Sequence, residues 1–138
     1  MNAINNVTPR NNITPIIIKL ENIYTVWHNY IIHYPKIHRY SLAAKIDTLM
    51  CELIQYTSSA VFVKKENKLA YILKSAQVLD TIKILLKVSN NIEALEMKKY
   101  IHISSMLNEI GKIIGGWHNQ VEVQLNRNKT SLQSEERK

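Results

Sequence analysis

Between positions 64 and 87 stand six lysines, Lys64, Lys65, Lys68, Lys74, Lys83 and Lys87, against two acids, Glu66 and Asp80, a net of +4. The preceding stretch, Ser41 to Val63, has only Lys45 against Asp47 and Glu52. The whole chain carries +7 with a pI near 9.5, so much of its excess charge is local. Ammonium groups at this density suit an anionic partner, most often nucleic acid; the plain alternative is a solvated lysine face. Lys83 and Lys87 are four apart, which on a helix lets their stems cover the edge of a buried face while both heads reach solvent. Lys64, Lys65, Lys83 and Lys87 are therefore the expected phosphate contacts, with Lys68 beside them. Tyr71 is the one aromatic residue among these lysines, too little to grip exposed bases, so the expected chemistry is counterion release with little sequence preference, and selection must come from a partner.

Other chemistry is sparse. There is no phosphate-cradling glycine loop, no Gly-x-Ser-x-Gly, no paired-cysteine motif and no His-Glu-x-x-His. His28 and His118 each follow a tryptophan, and a bundle could bring them near one another. A metal would want three or more ligands with supporting carboxylates, which the spacing does not supply. Neither a metal, a cofactor nor an enzymatic activity is expected. Trp27, Trp117 and the seven tyrosines could stack on bases, but the tryptophans fall at the centres of apolar stripes and belong to packing. Cys51, the single cysteine, lies in an apolar helical pattern; it reads as a small core residue of a protein from a reducing compartment. With no run of eighteen apolar residues and no signal-peptide core, the default is a cytoplasmic protein without a membrane span.

The elements that must position these groups are helices. All three prolines precede position 36, and 138 residues that are 46% hydrophobic suffice for one core. After a polar, asparagine-rich arm (1–14), Leu20, Ile23, Trp27, Tyr30, Ile31 and Tyr34 form a stripe over a first helix from Pro15 to about Tyr34. A short basic link, Pro35 to Tyr40, adds Lys36 and Arg39 to the expected nucleic-acid or partner contacts. Ser41 is a plausible N-cap for a second helix that carries Leu42, Ile46, Leu49, Leu53, Tyr56 and Ala60 to about Val63. The charged break Lys64 to Lys68 precedes a third helix from about Asn67 to Ala94, with Leu95 and Glu96 making the last turn. A fourth runs from Met97 to Leu125 on Ile103, Leu107, Ile110, Ile114, Trp117 and Val121, and residues 126–138 form a disordered tail.

Such helices on short links predict an all-α, antiparallel up-down-up-down bundle over 15–125. Two features exceed what a lone bundle needs. The third helix is apolar over about 200°, from Leu85 to Leu69, with Leu73 outside even that arc, where one seam needs about 100°; self-association is expected. The three glycines, Gly111, Gly115 and Gly116, interrupt the fourth helix at about 1 kcal/mol each. Gly111 and Gly115, four apart, predict the close approach of another helix.

Tyr24 and Trp27, Pro35-Lys36, Arg39-Tyr40-Ser41-Leu42, Lys99-Tyr100, Asn108-Glu109-Ile110-Gly111-Lys112 and Gly115-Gly116-Trp117 together resemble the four-helix-bundle family of diversity-generating retroelement accessory variability (Avd) proteins. The resemblance spans roughly Lys19 to Gln120, and the same fold family includes proteins of intervening sequences in large-subunit ribosomal RNA genes. It implies a non-catalytic, basic protein that assembles into a barrel-like homopentamer and binds the element's reverse transcriptase and its template RNA. It assigns Gly111, Gly115, Gly116 and Trp117 to bundle and subunit packing, and basic positions near the second and third helices to partner binding. Ala43-Ala44, where the family pattern has Leu-Gly, and His118, where it has an apolar residue, depart from it. The alternative is a structural or regulatory bundle of the intervening-sequence type whose basic surface only solvates it.

Overall fold

The computed structural model describes residues 14–137. Its helices are α1 (Thr14–Ile31), a single turn α2 (Lys36–His38), α3 (Ala44–Phe62), α4 (Lys65–Asn91) and α5 (Met97–Glu136), with a π-helical stretch, Arg39–Ala43, joining α2 to α3. The expected N-terminal arm lies outside the described residues, save that Thr14 opens α1. No helix among the described residues is long and apolar enough to cross a membrane.

Apolar side chains three and four apart share a helix face, and each long helix buries one such face. Ile16, Leu20, Ile23 and Trp27 of α1 meet Ile46, Met50 and Leu53 of α3, Ile72, Leu79, Ile82 and Leu86 of α4, and Ile103, Leu107, Ile110 and Ile114 of α5 in one core. The four long helices close into a ring in which α3 packs on α4, α4 on α5, α5 on α1 and α1 on α3. Specific pairs fix the directions. Trp27 meets Asp47 and Lys68 meets Ala60, while Lys19 meets Glu109 and Tyr30 lies against His102. Residue numbers rise on one helix as they fall on its neighbour, the pattern of an antiparallel up-down bundle.

Several boundaries move. The first helix stops at Ile31 rather than Tyr34, and Ser41 is no N-cap: it sits inside the π-helical stretch, while Pro35 (φ −55°, ψ 144°) makes the entry to α2. The charged break shrinks to Val63 and Lys64, because Lys65 already opens α4. The fourth helix runs eleven residues past Leu125 to Glu136, where a disordered tail is expected from sequence. No glycine or proline follows Gly116 to stop it. Every described residue beyond Leu125 is exposed, so the last turns contribute little to the core. Cys51, expected inside, is exposed on α3.

Candidate nucleic-acid interface

The lysines singled out by sequence divide into those with free heads and those the fold employs. Lys64, in extended backbone, caps the start of α4, and Lys65 is its first residue; both are exposed. Lys87 is exposed one turn from Lys83, and Lys36 is exposed at the start of α2. Lys68 is half-buried and points back at the preceding helix: its Nζ donates to the carbonyls of Ala60 (2.8 Å) and Val61 (2.9 Å) and lies 5.9 Å from the Trp117 ring centre. Those carbonyls end α3, where orphan acceptors and the negative end of the helix dipole favour a cation. Lys68 is thereby a helix cap. Arg39 ties down the turn that follows α1, its Nη2 donating to the carbonyls of Ile32 (3.1 Å) and Tyr34 (3.2 Å).

The free lysines do not form one patch. From Lys65 to Lys83 is eighteen residues of continuous helix, about 27 Å at 1.5 Å per residue, so the two pairs occupy separate parts of α4. Lys74, which sequence left out of the site, lies between them, its Nζ 5.5 Å from the Tyr56 ring and 5.6 Å from the Tyr71 ring. Ion pairing leaves the basic surface largely intact. Among the described residues Lys19 pairs with Glu109 at 3.5 Å and His118 Nδ1 lies 3.6 Å from Glu122, both contacts partly solvent-exposed.

Lys83 borders a groove of about 530 Å³ between α4 and α5, floored by Ile72, Leu79 and Ile114 and rimmed by Asp80, Lys112 and His118. This groove exists because α5 has no side chains at Gly111 and Gly115. A β-carbon at Gly111 would lie 3.4 Å from the Leu79 side chain and the Lys83 ammonium, a contact with side chains where the approach of a helix backbone is expected from sequence. Gly115 and Gly116 have nothing within 4 Å, so the expected helix contact at Gly115 is absent and the position opens to solvent. Lys112, on the groove's rim, escaped notice in the sequence because it lies in the glycine motif rather than in the lysine cluster.

Of the packing residues, Trp27 is wholly buried, its Nε1 donating to Asp47 Oδ1 at 3.1 Å. Tyr24 donates to the same oxygen at 2.9 Å, and that bond, followed by burial, pushes its phenol up to about 12. Trp117, expected at a stripe centre, is only half-buried under Lys68. Leu85 is half-buried, whereas Leu73 is 46% exposed and Ile84 on the same helix 62%. His28 and His118 do not meet. His28 lies in the last turn of α1, which packs near His102, and His118 lines the α4–α5 groove sixteen residues further along α5, about 24 Å away. Among the described residues no group of three or more His, Cys, Asp or Glu is placed to hold a metal ion.

A protein-family model described as bAvd-like matches residues 16–121. The match opens at Ile16 and closes at Val121, both buried, and so takes in the ring of four helices but not the last turns of α5. No curated protein and no solved structure matches the chain.

Proposed function

The chain belongs to the bAvd-like family, and from that premise we propose that it is a non-catalytic accessory protein of a diversity-generating retroelement, binding the reverse transcriptase and its template RNA during mutagenic copying. The observation that carries this reading beyond membership is the set of free cationic heads: Lys64, Lys65, Lys87 and Lys36 are exposed, and Lys83 stands on the rim of a surface groove. Such heads displace counterions from a phosphate backbone without reading its bases. Lys68 and Arg39 leave the list of phosphate contacts, because backbone carbonyls hold them.

Self-association completes the proposal, as the homopentamer that the family resemblance implies. Leu73, Ile84 and Val88 leave apolar surface on the outward side of α4, and a second copy is the natural cover for it. Repetition around a closed ring would turn scattered lysines into a polyvalent surface.

Co-purification with the genomically adjacent reverse transcriptase, followed by sequencing of the RNA that accompanies the pair, tests the assignment. Recovery of template-repeat RNA supports it. Failure to retain the polymerase at low salt, or a gene lying inside a ribosomal RNA locus, would favour the intervening-sequence alternative.

A further inference from the structure

We propose that the corner between α1 and α3 binds unpaired bases of single-stranded RNA, with Tyr40 as the stacking platform. This rests on the reading of the chain as a nucleic-acid-binding protein and adds the form of nucleic acid it takes.

From Asn22 to Ile46 the sequence holds no Asp or Glu, but it has Lys36, Arg39 and Lys45 together with His28, His33 and His38. At its turn stand Tyr40, 84% exposed, and Ile37, 79% exposed, the two most exposed large hydrophobic side chains among the described residues. A tyrosine recruited for the core would be covered, as Tyr34 is. Lys36 and Lys45, both exposed, flank Tyr40 in the chain, four residues before it and five after it.

Two contacts tie the corner together. Arg39 holds the carbonyls of Ile32 and Tyr34, and Tyr34 is buried edge-on to Trp27 with ring centres 5.6 Å apart. Tyr40 therefore rises from a fixed base, which lowers the entropy lost on binding. It also lies in the π-helical stretch, Arg39–Ala43, a local widening of the helix that is frequent at functional sites.

Chemistry selects the occupant. A duplex keeps its bases stacked on one another and offers a tyrosine only its backbone, whereas a single strand can lay a base on the exposed ring while cations neutralise its phosphates. An apolar protein surface could cover Ile37 and Tyr40 as well, but it gives no reason for a 25-residue stretch that holds three lysines and arginines and no acid. A polyanion does.

Fluorescence anisotropy with a labelled oligouridylate and a blunt RNA duplex of equal length tests the proposal, using wild type, Tyr40→Ala, Tyr40→Phe and the quadruple Lys64, Lys65, Lys83, Lys87→Gln variant. Tyr40→Ala should weaken single-strand binding about 10-fold, the loss of one stacked base, with duplex binding unchanged and Tyr40→Phe close to wild type. The quadruple variant should weaken both RNAs yet keep the preference for the single strand. Unchanged single-strand affinity in Tyr40→Ala overturns the proposal, as does an equal loss on both RNAs. A drop in mass by light scattering in Tyr40→Ala, with affinity following assembly, assigns the residue instead to a contact between copies. If wild type binds the duplex while Tyr40 is silent, only this inference fails; if wild type binds neither RNA, the functional reading falls with it.

Discussion

At the scale of single residues, the fold separates charges that hold it together from charges that face solvent. Asp47 accepts from both Tyr24 and the buried Trp27, so it ties α1 to α3. Asp47→Ala would leave the indole N–H without its partner in a closed site, at about 2 to 3 kcal/mol, measurable as a fall in the denaturant midpoint. The same contact makes stability depend on pH. Because the folded state raises the Tyr24 phenol from 10.0 to about 12, its contribution is full below pH 10 and is lost as pH rises through about 12. Tyr24→Phe should shrink the stability lost across that window; the remainder belongs to Tyr30 and Tyr34, whose phenols burial raises in the same direction. An unaltered alkaline profile would remove Tyr24 from the account. Lys68→Gln should behave differently from the exposed lysines: it uncaps α3, costs about 1 to 2 kcal/mol, and changes RNA affinity little while the fold persists. Nothing in the residue type distinguished Lys68 from Lys65. Both are lysines in the same charged run, and only the position of the α3 terminus separates a cap from a free cation.

At the scale of elements, the turn from α4 to α5 shows why one helix end escaped the sequence. Glu93 takes a left-handed φ of 63°, Glu93 N–H donates to the Asn90 carbonyl, and Ala94 N–H to the Ser89 carbonyl. These bonds make the Schellman closure, in which glycine is the usual left-handed residue. With glutamate there, no glycine marks the stop, and the apolar pattern alone carries the helix on to Ala94. Glu93→Gly should therefore stabilise the protein by about 1 kcal/mol, by relieving the Cβ penalty of that conformation, read as a raised guanidinium midpoint with an unchanged slope. The stripes were legible because burial repeats every three or four residues wherever a helix packs. The π-helical stretch was not, since its side chains follow no period that Leu42 and Ile46 do not also satisfy. Nor does a glycine in a stripe say whether a neighbour fills the space beside it: Gly111 meets Leu79, and Gly115 meets nothing.

At the scale of the whole molecule, the exposed apolar surface of α4 and the bare groove at Gly115 bear on assembly together. A monomer has no use for Ile84 at 62% exposure beside Leu73 and Val88 on one outward face. Light scattering should accordingly give a multiple of 16.0 kDa at micromolar concentration. Ile84→Lys separates folding from association, because a charged head on an already exposed position costs the bundle almost nothing but cannot be buried against a second copy without a partner charge. Its melting temperature at low concentration should match wild type while its mass falls to that of one chain. Gly115→Ala provides the opposite control. With open space at that position, the substitution should raise stability by about 1 kcal/mol through helix propensity alone, unless a second copy seats its backbone in the groove. In that case the added methyl group would weaken assembly even as it strengthens the helix. Persistence of the oligomer in both variants would place the contact elsewhere, and lysines on α4 would then need another geometry to act as a ring. Loss of assembly in Ile84→Lys, accompanied by a shallower salt dependence of RNA binding, would tie the number of phosphate contacts to the number of copies.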